Sequence, residues 1–86
     1  MEFKGAMSVE TWKNKRGSKF STKTTKGMLI ADGYIFIGDE EYDSSTKQKP
    51  KALAIRWMNA YKVDHIVYRA TTHTWGWKWL EFYIKT

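Results

Sequence analysis

Trp77, Trp79 and Tyr83 share a short stretch with Lys78 and Lys85, and Arg69 lies in a strand-like run just before it. Rings interleaved with cations suit nucleic acid: bases stack on aromatic faces for about 1–3 kcal/mol each, while Lys and Arg neutralise phosphates. In an extended strand Trp77, Trp79, Glu81, Tyr83 and Lys85 point one way and Leu80, Phe82 and Ile84 the other. A face that mixes two indoles with charges reads as a binding surface. The competing reading packs Trp77 and Trp79 against the amino-terminal segment, because a small domain needs its large rings inside. A second cationic group, Lys13, Lys15, Arg16, Lys19, Lys23 and Lys26 with Trp12 and Phe20 among them, reads either as a phosphate-contacting surface or as a solvated arm.

Other chemistries find less support. Gly38-Asp39-Glu40-Glu41-Tyr42-Asp43 holds four carboxylates, but they are nearly consecutive instead of spaced for an octahedral Mg²⁺ site. Their place before an expected helix suits the positive end of its dipole. His65 and His73 are the only histidines and Cys is absent, too few soft ligands for zinc. No nucleophile elbow, glycine-rich phosphate loop or acid–base pair is recognisable, so the chain reads as non-catalytic, without metal or cofactor.

Eighty-six residues at 42% hydrophobic and 28% charged fit one domain, 1–86, with one modest core. Without thiols that core must hold by packing alone, and an intracellular setting is expected. No apolar run approaches the ~20 residues that span a bilayer, and the amino terminus lacks a secretory stretch, so neither membrane nor export is expected. Residues 1–8, with the Gly5-Ala6-Met7 junction, read as a disordered or vector-derived lead-in outside the fold. The net charge of +6 is unevenly spread. Residues 1–26 carry seven Lys and Arg against two acids, 27–46 five acids and no base, and 47–86 eight bases against two acids.

The elements that must position these residues follow from local pattern. Val9 to Lys15 and Lys19 to Thr25, rich in Thr and Lys, read as exposed edge strands. Met28 to Ala31 and Tyr34 to Ile37, joined by Asp32-Gly33, predict a tight hairpin with a type I′ turn at the centre of the sheet. Ser44, Ser45 and Thr46 offer caps for a helix from about Lys47 to Tyr61, with Pro50 in its first turn. Its apolar stripe is Leu53, Ala54, Trp57, Met58 and Tyr61, and the opposite side carries Lys49, Arg56 and Asn59. Strands over Ile66 to Thr71 and Trp77 to Lys85, turning at His73 to Gly76, complete the chain.

This order predicts an α+β fold: a twisted antiparallel sheet of five to six strands with one helix on one face. Ile37 to Ser45 together with Trp75-Gly76-Trp77 slightly resembles the restriction-enzyme adenine-methylase-associated domain. Ser44-Ser45-Thr46 lacks that family's central proline, and Trp75 stands where its asparagine belongs, so no family is assigned. The expected function is non-catalytic DNA or RNA binding through Trp12, Lys13, Lys15, Arg16, Lys19, Lys23, Arg69, Trp77, Lys78, Trp79 and Tyr83. The competing class is a small phage-type interaction module or inhibitor of a host enzyme, with exposed tryptophans as anchors on a protein partner. Aromatics set among cations favour the first; aromatics in an uncharged patch with a polar rim favour the second.

Overall fold

Residues 3–16, 25–42, 49–72 and 78–85 are described by the computed structural model of the chain. Among them run β1 (Gly5–Ser8), α1 (Val9–Arg16), α2 (Thr25–Ala31), β2 (Tyr34–Tyr42), α3 (Pro50–Ala60), β3 (His65–Thr72) and β4 (Lys78–Lys85). The expected α+β class stands, with four strands and three helices among the described residues in place of five to six strands and one helix. The strands form one sheet in the order β1-β3-β4-β2. β1 pairs parallel to β3, and β4 pairs antiparallel with both β3 and β2, so the sheet is mixed.

The amino-terminal third departs most from expectation. Residues 5–8, set aside as a lead-in, form the edge strand β1, and Met7 is buried beneath it. Val9 to Lys15, expected as a strand, is helical. The Ser8 Oγ accepts the Thr11 amide hydrogen at 3.2 Å and donates to Thr11 Oγ1 at 3.0 Å, an N-cap that starts α1. Glu10 lies in the first turn, where the helix dipole favours an anion. Val9 and Trp12, one turn apart, then face the same core.

Met28 to Ala31, expected as the first arm of a hairpin, ends α2 instead. The Asp32 amide donates to the carbonyls of Met28 and Leu29, both at 3.1 Å, and the Gly33 amide to that of Ile30 at 3.1 Å. Gly33 sits at φ 90°, which a helix end of this kind requires. A type I′ turn asks for the same backbone at the same residue, so Asp-Gly marks both structures. β2 takes β4 as its partner, with Tyr34 opposite Lys85 and Ile35 opposite Ile84.

α3 forms inside the expected span but starts later. Pro50 occupies its first turn and Lys49 caps it with extended backbone and no side-chain bond; Ser44, Ser45 and Thr46 lie outside the described residues. At its other end the Lys62 amide donates to Asn59 O at 3.2 Å and the Val63 amide to Met58 O at 3.1 Å, with Lys62 itself at φ 55°. This paired closure usually employs glycine, and a lysine there costs roughly 1 kcal/mol.

Both faces of the sheet are covered. On one, Met7, Val9, Trp12, Met28, Leu29, Tyr34, Val67 and Tyr83 pack together beneath α1 and α2. On the other, Leu53 and Ala54 of α3 meet Ile66, Leu80 and Phe82. Alternation along β4 therefore buries Phe82 on one side and Tyr83 on the other. At the head of the first core the His65 Nδ1–H donates to Gly5 O at 3.0 Å, because a carbonyl can only accept. The His65 Nε2 is left to accept from the Tyr34 hydroxyl at 2.7 Å, and this chain ties β1, β2 and β3 together.

Candidate nucleic-acid interface

The residues expected to bind are dispersed over the molecule. Trp12 is 0% exposed, packed edge-on against Tyr34 at 5.7 Å, so its ring offers no surface to a base. Tyr83 is likewise 0% exposed and donates to Glu81 Oε1 at 3.3 Å. Burial and the neighbouring Glu81 push its hydroxyl up to about 12. Both assignments are corrected: Trp12 points into the core from α1, and the α1/α2 layer covers Tyr83 on a sheet face that was expected to be open. Lys19, Lys23 and Trp77 lie outside the described residues, as do the side chain of Arg16 and the turn at 73–76. Lys13 is half-buried and Lys15 exposed on α1.

Arg69 and Trp79 do share a face of β3 and β4, but in acidic company. Arg69 Nη1 donates to Glu81 Oε1 at 2.7 Å, so its charge is matched within the sheet. Across the β2–β4 ladder Asp39 stands opposite Glu81 and Glu41 opposite Trp79, which puts three carboxylates on the face that Trp79 shares. Lys78, by alternation, belongs to the other face. The carboxylates of Asp39, Glu40 and Glu41 lie within β2, not at the head of α3, whose first turn contains no acid, so they do not serve its dipole. Among the described residues no three or more His, Asp or Glu converge in a way that could hold a metal ion.

Among the described residues, α3 and its two flanks hold a cluster of exposed cations. From Lys47 to Val63 the sequence has Lys47, Lys49, Lys51, Arg56 and Lys62 and not one Asp or Glu. Lys49, Lys51, Arg56 and Lys62 are exposed, because Leu53 and Ala54 turn the opposite side of the helix into the core. The helical spacing sets Lys49, Arg56 and Asn59 opposite the apolar stripe. The absence of any acid over seventeen residues was the overlooked signal.

Beside these cations an aromatic ladder climbs from the core to the surface. Phe82 stacks on Trp57 at 4.6 Å, and Trp57 on Tyr61 at 5.9 Å with their planes 5° apart. Tyr61, at the top, is 46% exposed, and its hydroxyl donates to Ile37 O at 3.3 Å. The Trp57 Nε1–H donates to Glu40 Oε1 at 3.1 Å. The indole lies directly over Gly38, where a Cβ would come within 2.7 Å of its Cη2. Gly38 marks a β-bulge in β2 and has φ 148°, so backbone conformation and the ring above it both call for glycine. Between α3 and β2 lies an open groove of about 550 Å³ lined by Glu40, Arg56, Trp57, Asn59, Ala60 and Tyr61.

None of the described helices is long and apolar enough to cross a membrane. No family model, no curated protein and no solved structure matches the chain.

Proposed function

We propose that this chain is a non-catalytic nucleic-acid-binding module whose phosphate-contacting surface is the outer side of α3. One observation carries the reading: a helix that exposes Lys51 and Arg56, flanked by Lys49 and Lys62, within a stretch devoid of acids. Four exposed cations along so short an element make a local positive field that folding does not require, since none of them has a carboxylate on its own helix. Tyr61 beside them supplies a ring on which a base stacks, and such stacking adds affinity without demanding a particular sequence. This replaces the β3–β4 surface as the phosphate site, because the carboxylates of Asp39, Glu41 and Glu81 would repel a polyanion there.

The alternative partner class, another protein, draws on exposed Ile30, Ile35 and Phe36. Phe36 has the Lys26 ammonium 5.4 Å from its ring centre, and Tyr61 stands near Arg56 and Lys62. Aromatics in cationic company favour nucleic acid over a protein interface.

A titration of fluorescent single-stranded oligonucleotide at several salt concentrations tests the proposal. Four phosphate contacts predict a slope of about −3 in log affinity against log salt. Affinity indifferent to salt, or left intact when Lys51 and Arg56 are both changed to Gln, would overturn it.

A further inference from the structure

The groove between α3 and β2 has a chemistry more particular than phosphate binding. One wall is the exposed Tyr61 ring, braced by Trp57 and Phe82 beneath it. The lining includes Glu40, whose carboxylate accepts the Trp57 indole hydrogen at 3.1 Å. Arg56 and Asn59 complete the lining, and the small Ala60 leaves room between them. An aromatic platform, a fixed carboxylate and a guanidinium are the three parts needed to hold a nucleotide by its base, its base edge and its phosphate.

The carboxylate decides which base. A carboxylate only accepts hydrogen bonds, and each of its oxygens has two lone pairs, so the bond from Trp57 leaves acceptor capacity on both. Guanine alone presents two donors side by side on its Watson–Crick edge, N1–H and N2–H, spaced to meet two carboxylate oxygens. Adenine and cytosine offer one amino donor beside a ring nitrogen whose lone pair faces the carboxylate. Uracil and thymine offer one N–H between two carbonyls, which the carboxylate repels.

We propose that this groove binds a single unpaired guanine, with Glu40 accepting from its N1–H and N2–H, Tyr61 stacking on its ring and Arg56 contacting the attached phosphate. The inference rests on the nucleic-acid reading above and adds a base preference to it. An unpaired base is required because in a duplex this edge is already bonded to cytosine.

The test compares two labelled seven-nucleotide uridine oligomers, one with a central guanine and one with a central adenine, by fluorescence anisotropy. The guanine oligomer should bind about tenfold tighter, the discrimination expected of one bidentate contact. Glu40→Gln, which keeps the size of the side chain, should bring that ratio close to one while the Trp57 indole N–H resonance confirms a folded protein. Equal affinities in the unaltered chain, with a steep salt dependence, would overturn the guanine site and leave the phosphate-binding reading standing. Binding of neither oligomer would overturn the phosphate-binding reading. Guanosine monophosphate then tests the groove alone: a shift of the Trp57 resonance with it and none with adenosine monophosphate supports the site, and silence with both overturns it too.

Discussion

Trp12 and Trp57 sit on opposite sides of the same sheet, each on a helix that also carries cations, and they come to different ends. The Trp12 ring is fully buried in the core that Met7, Tyr34, Val67 and Tyr83 share with α1 and α2. Trp57 is only half-buried: Phe82 lies beneath it, Tyr61 above it, and its N–H points to a carboxylate at the rim of a groove. The acids separate the two regions further. Asp39, Glu41 and Glu81 accompany the first, whereas among the described residues Glu40 is the lone carboxylate lining the groove of the second. A tryptophan among cations therefore has no fixed meaning; the layer above it and the sign of its neighbours decide between core and surface.

If that contrast is right, the largest effect comes from emptying the first region. Trp12→Ala should cost about 3–5 kcal/mol in urea unfolding, and whatever protein remains folded should bind oligonucleotide as before. Next in size is Gly38→Ala, where φ 148° and the ring at 2.7 Å both oppose a methyl group. A loss of roughly 2 kcal/mol is expected, together with loss of the guanine preference, because the Trp57 indole must lift from its seat. A change that left both stability and preference untouched would mean that the ladder does not order the groove.

The opposite behaviour is expected on α3. Lys51→Gln with Arg56→Gln should alter stability by no more than about 0.5 kcal/mol, while flattening the salt slope by about 1.4, the share of two phosphate contacts. A large stability loss instead would mark these cations as structural and erase the contrast.

Acid and alkali both act on the first region. Burial holds the His65 imidazole below its ordinary value of 6.5, so the unfolded chain takes up a proton there before the folded one does. Stability should accordingly decline as pH falls below 6.5 and level off once the folded form also protonates. Tyr83, pushed up to about 12, ionises more readily unfolded than folded, so stability should also decline as pH rises from 10 towards 12. Thermal unfolding across pH, compared with Tyr83→Phe, isolates the alkaline limb. The smallest effect concerns Lys62: at φ 55°, Lys62→Gly should stabilise by about 0.5–1 kcal/mol and still weaken binding by one phosphate contact.

The second half of the chain was the more legible. The stripe Leu53, Trp57, Tyr61 and the Ile66 to Thr71 alternation reported true elements, because one period dominated each. Met28 to Ala31 misled because four apolar residues before Asp-Gly fit a strand as well as a short helix. Val9 to Lys15 misled because the cap that starts its helix is Ser8, which had been set aside with the lead-in. Once two helices were read as strands, the layer they build over Tyr83 was invisible, and its face was taken for open surface. At the groove, no local pattern in the sequence brings Glu40 to Trp57; only the β2–β4 register and the bulge at Gly38 do.

The strand order has a consequence for how the molecule comes into being. β1 and β2 come from the first half of the sequence and do not pair with each other; each enters the sheet only beside a strand from the second half, β3 for one and β4 for the other. A fragment ending before His65 would hold two strands with no partner and two layers with nothing to cover. Assembly must wait for distant segments to meet, so the chain should acquire its structure late, slowly and in a single step.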